Sequence, residues 1–183
     1  MQMVKFRVGL RGKGGNEFCK TLITTILKTV ILYESFFGNT RQIAEAMGNS
    51  LAQNNEVRVL NVSKITWKEI SDAEILIIGS ATRAFRPCEA TKAFLKNIPE
   101  NGLNGKKVAA FDTRILLSEI HSKVARYLID KGGYAAKHIA KALDKKGGKL
   151  VLPPEGFFVK DEKGPLAEGE LERAAKWAVQ IVK

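Results

Sequence analysis

Short apolar runs recur along the chain from residue 29 onward, and each of them predicts a buried β-strand. The five runs cover residues 30–33, 57–62, 75–79, 108–111 and 149–152. They are rich in Val and Ile and are mostly continuous rather than alternating. A strand that is covered on both faces needs apolar residues at successive positions, which is typical of parallel sheets. The pattern therefore predicts a parallel sheet that lies between two outer layers.

Apolar residues that recur about every four positions lie between these runs and predict amphipathic helices. The predicted helix faces are Ile43, Met47 and Leu51; Ala90, Phe94 and Ile98; Ile120, Val124 and Leu128; Ala136, Ile139, Ala140 and Leu143; and Leu171, Ala174, Ala175, Ala178 and Val182. Alternating strands and helices predict an α/β fold, a doubly wound five-stranded parallel sheet in the order 2-1-3-4-5. Ligands of such sheets bind beyond the carboxyl ends of the strands.

Residues 1–28 do not share this regular pattern. They hold six basic residues, one acidic residue (Glu17) and a Gly-rich turn over residues 11–15. The segment matches neither a dinucleotide-binding fingerprint nor a secretory signal. We expect residues 1–28 to be a basic N-terminal extension, poorly ordered through about residue 16 and helical over residues 18–27. A single domain over residues 29–183 would follow it.

The composition excludes several classes of function. The net charge is +11 over 183 residues, but stacking aromatic residues do not alternate with the basic ones. We therefore interpret the charge as a solvated surface and expect no specific nucleic acid partner. No apolar run is long enough to predict a membrane span. Two cysteines without CxxC spacing and two distant histidines predict neither a disulfide framework nor a metal site, and a reducing, cytoplasmic setting is the default.

The first predicted strand ends in a turn that opens directly onto a helix. Within six positions this turn holds the hydroxyls of Ser35 and Thr40, the amide of Asn39 and the glycine Gly38. Backbone N–H groups at a helix start, together with hydroxyls, form a phosphate site. An ordinary helix N-cap, the alternative, needs only one such residue. Because no lysine follows the glycine as in a P-loop, the turn favours a phosphomonoester over a nucleoside triphosphate.

Two later strand ends can supply a pocket for a flat ring. The third strand ends in the small residues of 79–82, followed by Phe85 between Arg83 and Arg86. Small residues leave room for a ring near the backbone, and Phe85 can cover one of its faces. The fourth strand ends in Asp112-Thr113-Arg114, whose backbone can border the other side. A core position for Phe85, and capping of the next helix by Asp112 or Thr113, remain open as alternatives.

The three strand-end motifs together resemble the flavodoxin-like family. They are Ser35-Phe36-Phe37-Gly38-Asn39-Thr40, Gly79-Ser80-Ala81-Thr82 and Phe111-Asp112-Thr113-Arg114, and the tail from Gly156 to Glu172 is similar too. The resemblance covers roughly residues 29–182 and implies non-covalently bound FMN. It implies a phosphate site formed by Ser35, Phe36, Phe37, Gly38, Asn39 and Thr40. It also implies ring contacts from Ala81, Thr82, Arg83, Ala84 and Phe85 on one edge and from Asp112, Thr113 and Arg114 on the other.

The resemblance implies an FMN-binding electron-transfer protein whose partner is a redox protein or a small-molecule electron donor or acceptor. The chain departs from the family's electron carriers in three ways. Phe37 precedes the glycine where many carriers have a hydroxyl, Phe85 replaces a Trp and Tyr sandwich, and the chain is basic. Arg83, Arg86 and Arg114 near the ring would then raise the potential of bound FMN. An NAD(P)H- or quinone-dependent FMN reductase and a flavin-free binding scaffold remain as alternatives, and no catalytic residue set is evident.

Overall fold

A computed structural model describes residues 3–6, 22–115 and 133–183 of the chain. The strands are β1 (Met3–Phe6), β2 (Leu22–Thr25), β3 (Lys28–Glu34), β4 (Glu56–Asn61), β5 (Ile75–Ala81), β6 (Lys107–Ile115), β7 (Lys149–Leu150) and β8 (Glu155–Val159). The helices are α1 (Asn39–Leu51), α2 (Glu89–Asn97), α3 (Ala135–Lys145) and α4 (Glu170–Val182). The predicted helix through Ile120, Val124 and Leu128 lies outside the described residues.

Strands β3 to β8 form one parallel sheet in the order β4-β3-β5-β6, with β7 and β8 both paired to β6. Counted from β3, this is the predicted order 2-1-3-4-5, so the doubly wound α/β fold is confirmed. Glu34 of β3 pairs with Ser80 of β5, and Ser80 pairs with Asp112 of β6. This register places the three strand-end loops side by side at one edge of the sheet.

The fifth position of the sheet is filled by two short segments rather than by one strand. Strand β7 pairs beside Lys107 and Val108, and β8 pairs further along β6, from Phe111 to Ile115. Pro153 and Pro154 lie between the two segments, and proline has no N–H group with which to continue a ladder. The predicted strand over residues 149–152 is therefore shorter than expected, and the sequence pattern missed β8.

The two faces of the sheet bury separate hydrophobic clusters. Val30 and Leu32 of β3 pack in the cluster that includes residues of α2 and α3. Ile31, between them, packs on the other face with residues of α1 and α4. Because successive residues of a strand point to opposite faces, a strand buried on both sides reads as a continuous apolar run. This explains why the strongest runs in the sequence became the central strands.

The apolar face of α4 differs from the predicted one. Leu171 is 40% exposed, whereas Trp177 and Ile181 are buried. The Trp177 ring lies 6.4 Å from that of Phe111 and 6.1 Å from that of Phe157, both edge-on. A large aromatic side chain buries more apolar area than the small residues of the predicted stripe, so its packing sets the rotation of the helix.

The helix predicted over residues 18–27 is wrong where the structure describes it. Leu22–Thr25 forms a strand that pairs antiparallel with Met3–Phe6. The β-branched residues Ile23, Thr24 and Thr25 favour an extended backbone, which explains the difference.

Strand β4, predicted to end at Val62, ends one residue earlier, because Val62 begins a 3-10 turn. None of the described helices is both long and apolar enough to cross a bilayer.

Gly79 leaves room for the Phe111 ring, which lies over the neighbouring strand on one face of the sheet. The two residues are register partners, and a Cβ atom at position 79 would overlap the Phe111 ring. We expect Gly79→Ala to lower the free energy of unfolding by about 1–3 kcal/mol through overpacking, measured by urea denaturation. The double variant Gly79→Ala, Phe111→Leu should lose less than the sum of the two single changes. Strict additivity would contradict this account.

Candidate functional site

The three strand-end loops enclose a cavity of about 430 Å³ at the carboxyl edge of the sheet. It is lined by Ser35, Phe36, Phe37, Asn39, Thr40, Ala81, Thr82, Arg83, Ala84, Thr113, Arg114, Ile115, Val159 and Glu162. Most of the residues singled out from the sequence therefore come together here. Gly38, Phe85 and Asp112 are not among the lining residues, and the positions of the latter two differ from the expectation.

The start of α1 lacks the groups that commonly satisfy a helix N-terminus. Gly38 precedes the helix with a φ of 90°, a left-handed conformation that glycine adopts without strain. The helix start has no side-chain cap, and its first turn contains no acidic residue. The first N–H groups of a helix lack partners within the helix, and its N-terminus carries partial positive charge. Within the described part of the chain, these donors are therefore available to a negatively charged group.

The starts of α2 and α3 are satisfied by carboxylates from strand ends. The Glu34 carboxylate accepts hydrogen bonds from the backbone N–H groups of Ala90, at 3.2 Å, and Thr91, at 2.7 Å. The Asp112 carboxylate accepts one from the N–H of Ala136, at 2.7 Å. Helix α4 has acidic residues in its first turn. Among the described α-helices, α1 is the one whose start has neither a side-chain cap nor a carboxylate in its first turn or bonded to it, although Glu162 lines the adjacent cavity.

Asn39 and Thr40 link the turn to other parts of the site. The Asn39 side-chain amide donates to the carbonyl of Lys163 at 3.0 Å, and Gly164 packs against that amide. The sequence interpretation assigned this amide to the ligand, and in the structure it also holds the loop between β8 and α4. The hydroxyls of Thr40 and Thr113 are 2.8 Å apart and join the first loop to the third.

Asp112 lies beneath the cavity and holds Arg114 in place. Its side chain is fully buried and accepts two hydrogen bonds from the Arg114 guanidinium, at 2.5 and 2.8 Å. The Arg114 guanidinium also stacks 4.0 Å over the Tyr134 ring. Burial raises the pKa of Asp112, while the neighbouring Arg114 opposes that shift. Asp112 therefore caps a helix, but this helix is α3 and not the one that the sequence predicts directly after β6, and Arg114 alone of this pair lines the cavity.

The loop after β5 turns back sharply through two left-handed residues. Ala84 and Phe85 have φ angles of 44° and 62°, and Arg83 and Arg86 exchange two backbone hydrogen bonds around them. Left-handed backbone costs residues other than glycine roughly 1–2 kcal/mol each. The Phe85 ring lies edge-on against Tyr134, 6.4 Å between centroids. Phe85 thus packs beside the cavity instead of lining it.

The same turn separates its two arginines. Arg83 lines the cavity, and its guanidinium lies 4.9 Å over the Phe36 ring. Arg86 lies on the other side of the turn, with a guanidinium nitrogen 3.5 Å from Nδ1 of His138. Of the three arginines predicted to lie near a ring, only Arg83 and Arg114 line the cavity.

The exposed aromatic surface of the site comes from the first loop. Phe36 and Phe37 are 55% and 52% exposed, although both are large apolar residues. The sequence reasoning missed Ile115, Val159 and Glu162 as lining residues. Ile115 and Val159 are register partners across β6 and β8, so only the pairing of β8 brings them together. Ile115 follows Arg114 directly, and that adjacency was the available signal.

The fold and the site define a doubly wound α/β protein with an uncapped helix start beside a cavity formed by three strand-end loops. The profile of the flavodoxin domain family matches residues 30–161. The chain therefore belongs to the flavodoxin domain family. No curated protein sequence matches the chain significantly.

Solved structures share the fold at low sequence identity. Flavodoxin 2 from Bacillus cereus is 22% identical over 85% of this chain and 97% of its own, with a TM-score of 0.66. Rubredoxin oxygen:oxidoreductase from Desulfovibrio gigas is 23% identical over 84% of this chain but only 35% of its own, with a TM-score of 0.64. A WrbA-like flavodoxin from Agrobacterium tumefaciens is 18% identical over 85% of this chain and 94% of its own, with a TM-score of 0.62. At these identities the likeness concerns the fold alone.

The pairing of Asp112 with Arg114 predicts a large effect for a small change. Asp112→Asn keeps the side-chain shape but leaves the Arg114 guanidinium without its carboxylate and weakens the cap of α3. We expect the free energy of unfolding to fall by about 2–4 kcal/mol, measured by urea denaturation. The exposed Asp144→Asn is the control and should change it by less than about 0.5 kcal/mol. Equal effects of the two variants would refute a structural role for the pair.

Proposed function

We propose that the protein binds FMN and transfers electrons, with the FMN phosphate at the start of α1 and the ring in the adjacent cavity. The observation that carries this proposal is the uncapped start of α1, which opens beside a cavity formed by three strand-end loops. When bound, FMN supplies reversible electron-transfer chemistry that side chains lack. The exchange partner would be a redox protein or a small-molecule electron donor or acceptor.

The donor set at the α1 start suits a phosphomonoester. Ser35, Thr40 and Thr113 place hydroxyls at the cavity, and the first-turn N–H groups add further donors. An anion at a helix N-terminus is stabilised by about 0.3–1 kcal/mol, and by up to about 2 kcal/mol when partly buried. The turn itself contains no lysine, in keeping with a ligand that carries a single phosphate.

The remainder of the cavity suits a flat, largely apolar ring. Its volume of about 430 Å³ lies within the usual range for small-molecule sites. Phe36 and Phe37 offer exposed aromatic faces, and Ile115 and Val159 add aliphatic surface. Aromatic and aliphatic surfaces of this kind bury a ring with favourable contacts. These features support FMN over a phosphorylated ligand without a ring.

The charges around the cavity are unequal. The Arg114 guanidinium is neutralised by Asp112, whereas within the described residues Arg83 has no carboxylate at ion-pair distance. A positive charge near a bound ring favours the negative charge that reduction adds. Arg83 is thus the arginine expected to raise the potential of bound FMN, and the contribution of Arg114 is smaller than the sequence alone suggests.

The placement of the phosphate can be tested with two flavins. Ser35→Glu puts a negative charge beside the α1 start, and we expect it to weaken FMN binding about tenfold or more, measured by flavin fluorescence quenching. Riboflavin lacks the phosphate, so its affinity should hardly change. Ser63→Glu on the surface is the matched control. An equal loss of affinity for both flavins would mean that the substitution disturbs the ring site and not the phosphate site. If the unaltered protein did not bind FMN, the proposal would be wrong.

The role of Arg83 can be separated from that of Arg86. We expect Arg83→Gln to lower the midpoint potential of the bound flavin by roughly 20 mV, since about 1 kcal/mol is the scale of an exposed charge interaction. Arg86→Gln, in the same turn but outside the cavity, should leave the potential unchanged. Redox titration of both variants measures the difference. Rapid reduction of the bound flavin by NAD(P)H in the same experiment would favour the reductase alternative.

A further inference from the structure

A second cavity, of about 410 Å³, lies between α2 and α3 on the face of the sheet opposite α1 and α4. Basic residues dominate its lining: Arg86, Lys92, Lys96, Lys145 and Lys146. We call this cavity the basic groove. It runs between two helices that both start at the edge of the sheet where the candidate FMN site lies.

The helices that form the basic groove carry their lysines in rows. Lys92 and Lys96 are four residues apart on α2, and Lys137, Lys141 and Lys145 share that spacing on α3. Like charges four residues apart destabilise a helix by about 0.2–0.5 kcal/mol for each pair. The carboxylates of these two helices are Glu89, which pairs with Lys92 at 2.8 Å, and the exposed Asp144. The protein therefore maintains an excess of positive charge here at a cost in stability.

The floor of the basic groove is apolar. Pro87 and Leu95 are buried, and Ala142 is half-buried. His138 also lines the floor, and its buried Nε2 has no hydrogen-bond partner among the described residues. Burial and the nearby cations lower the pKa of His138, which favours its neutral form. An apolar floor between cationic rims matches a protein segment in which carboxylates flank an apolar side chain.

The position of the basic groove connects it with the candidate FMN site. Arg86 lines the groove, while Arg83 and Ala84 of the same turn line the other cavity. A partner bound in the groove would lie directly beside the edge of the FMN site. Charge-complementary docking also speeds the encounter of two proteins and allows a small, rapidly exchanging interface.

We propose that the basic groove is the docking site for an acidic segment of a redox partner protein. Only the partner's redox role rests on the proposed function, because the binding of an acidic segment does not require FMN. A phosphate backbone or a membrane surface needs charge but no apolar floor, so the floor favours a protein segment over both.

The proposal can be tested with a defined acidic probe. A fluorescein-labelled peptide of repeated Glu-Asp-Leu units is titrated with the full-length protein, and binding is followed by fluorescence anisotropy. The variant Lys96→Glu, Lys145→Glu reverses two exposed charges of the groove. The control Lys64→Glu, Lys176→Glu makes the same change in net charge elsewhere on the exposed surface. We expect about tenfold or more weaker binding in the groove variant and a much smaller change in the control.

Other outcomes would overturn the proposal. Equal losses in the two variants would mean attraction to net charge, and no binding of the peptide at low ionic strength would exclude the groove as a carboxylate site. Tighter binding of duplex DNA or of anionic lipid vesicles, with the same dependence on Lys96 and Lys145, would overturn the proposal and show that the groove binds nucleic acid or lipid instead. Circular dichroism confirms that each variant is folded. FMN affinity is measured on the same samples, so a failure of flavin binding is distinguished from a failure of peptide binding.

Discussion

Carboxylates at the ends of two strands cap the helices on one face of the sheet, and the edge that holds the candidate site depends on this arrangement. Glu34, at the end of β3, binds the start of α2, and Asp112, near the end of β6, binds the start of α3. Both acids would otherwise present negative charge at the edge where the three loops meet. Because both acids bond to α2 or α3, neither of them satisfies the start of α1, and Asp112 holds Arg114 at the cavity wall. A single set of interactions thus secures two helices and sets the electrostatics of the site.

The sequence pattern was sufficient for the fold because the central strands are buried on both faces. Continuous apolar runs in β3 and β5 leave few alternatives to a covered parallel sheet, and the topology then brings the three strand-end motifs to one edge. Contacts between side chains and distant parts of the chain could not be predicted from the sequence pattern. Asn39 holds a distant loop, and Val159 reaches the cavity only through the pairing of β8 with β6. Neither contact has a local signature.

The sequence also could not show which of the basic residues lie close together in space. The lysines of α2 and those of α3 are more than forty positions apart in sequence, so composition alone presents them as a diffuse basic surface. The right-handed crossovers of a doubly wound sheet place these two helices side by side. Charges that look dispersed along the chain then line a single groove, next to the turn that borders the candidate FMN site. The family's fold is retained here with a basic surface, which suits a partner of opposite charge.

The divided fifth position of the sheet has a consequence for the protein in solution. The outer edge of a sheet offers unpaired N–H and C=O groups to which a strand of another molecule can add. Here that edge consists of two residues of β7 and five of β8, with Pro153 and Pro154 between them. An incoming strand would find a ladder interrupted where the prolines offer no donor. The outward-facing N–H and C=O groups of Phe158 in β8 are already bonded to Glu170 and Ala167, so the prolines and these bonds together leave an incoming strand few partners on this side of the molecule.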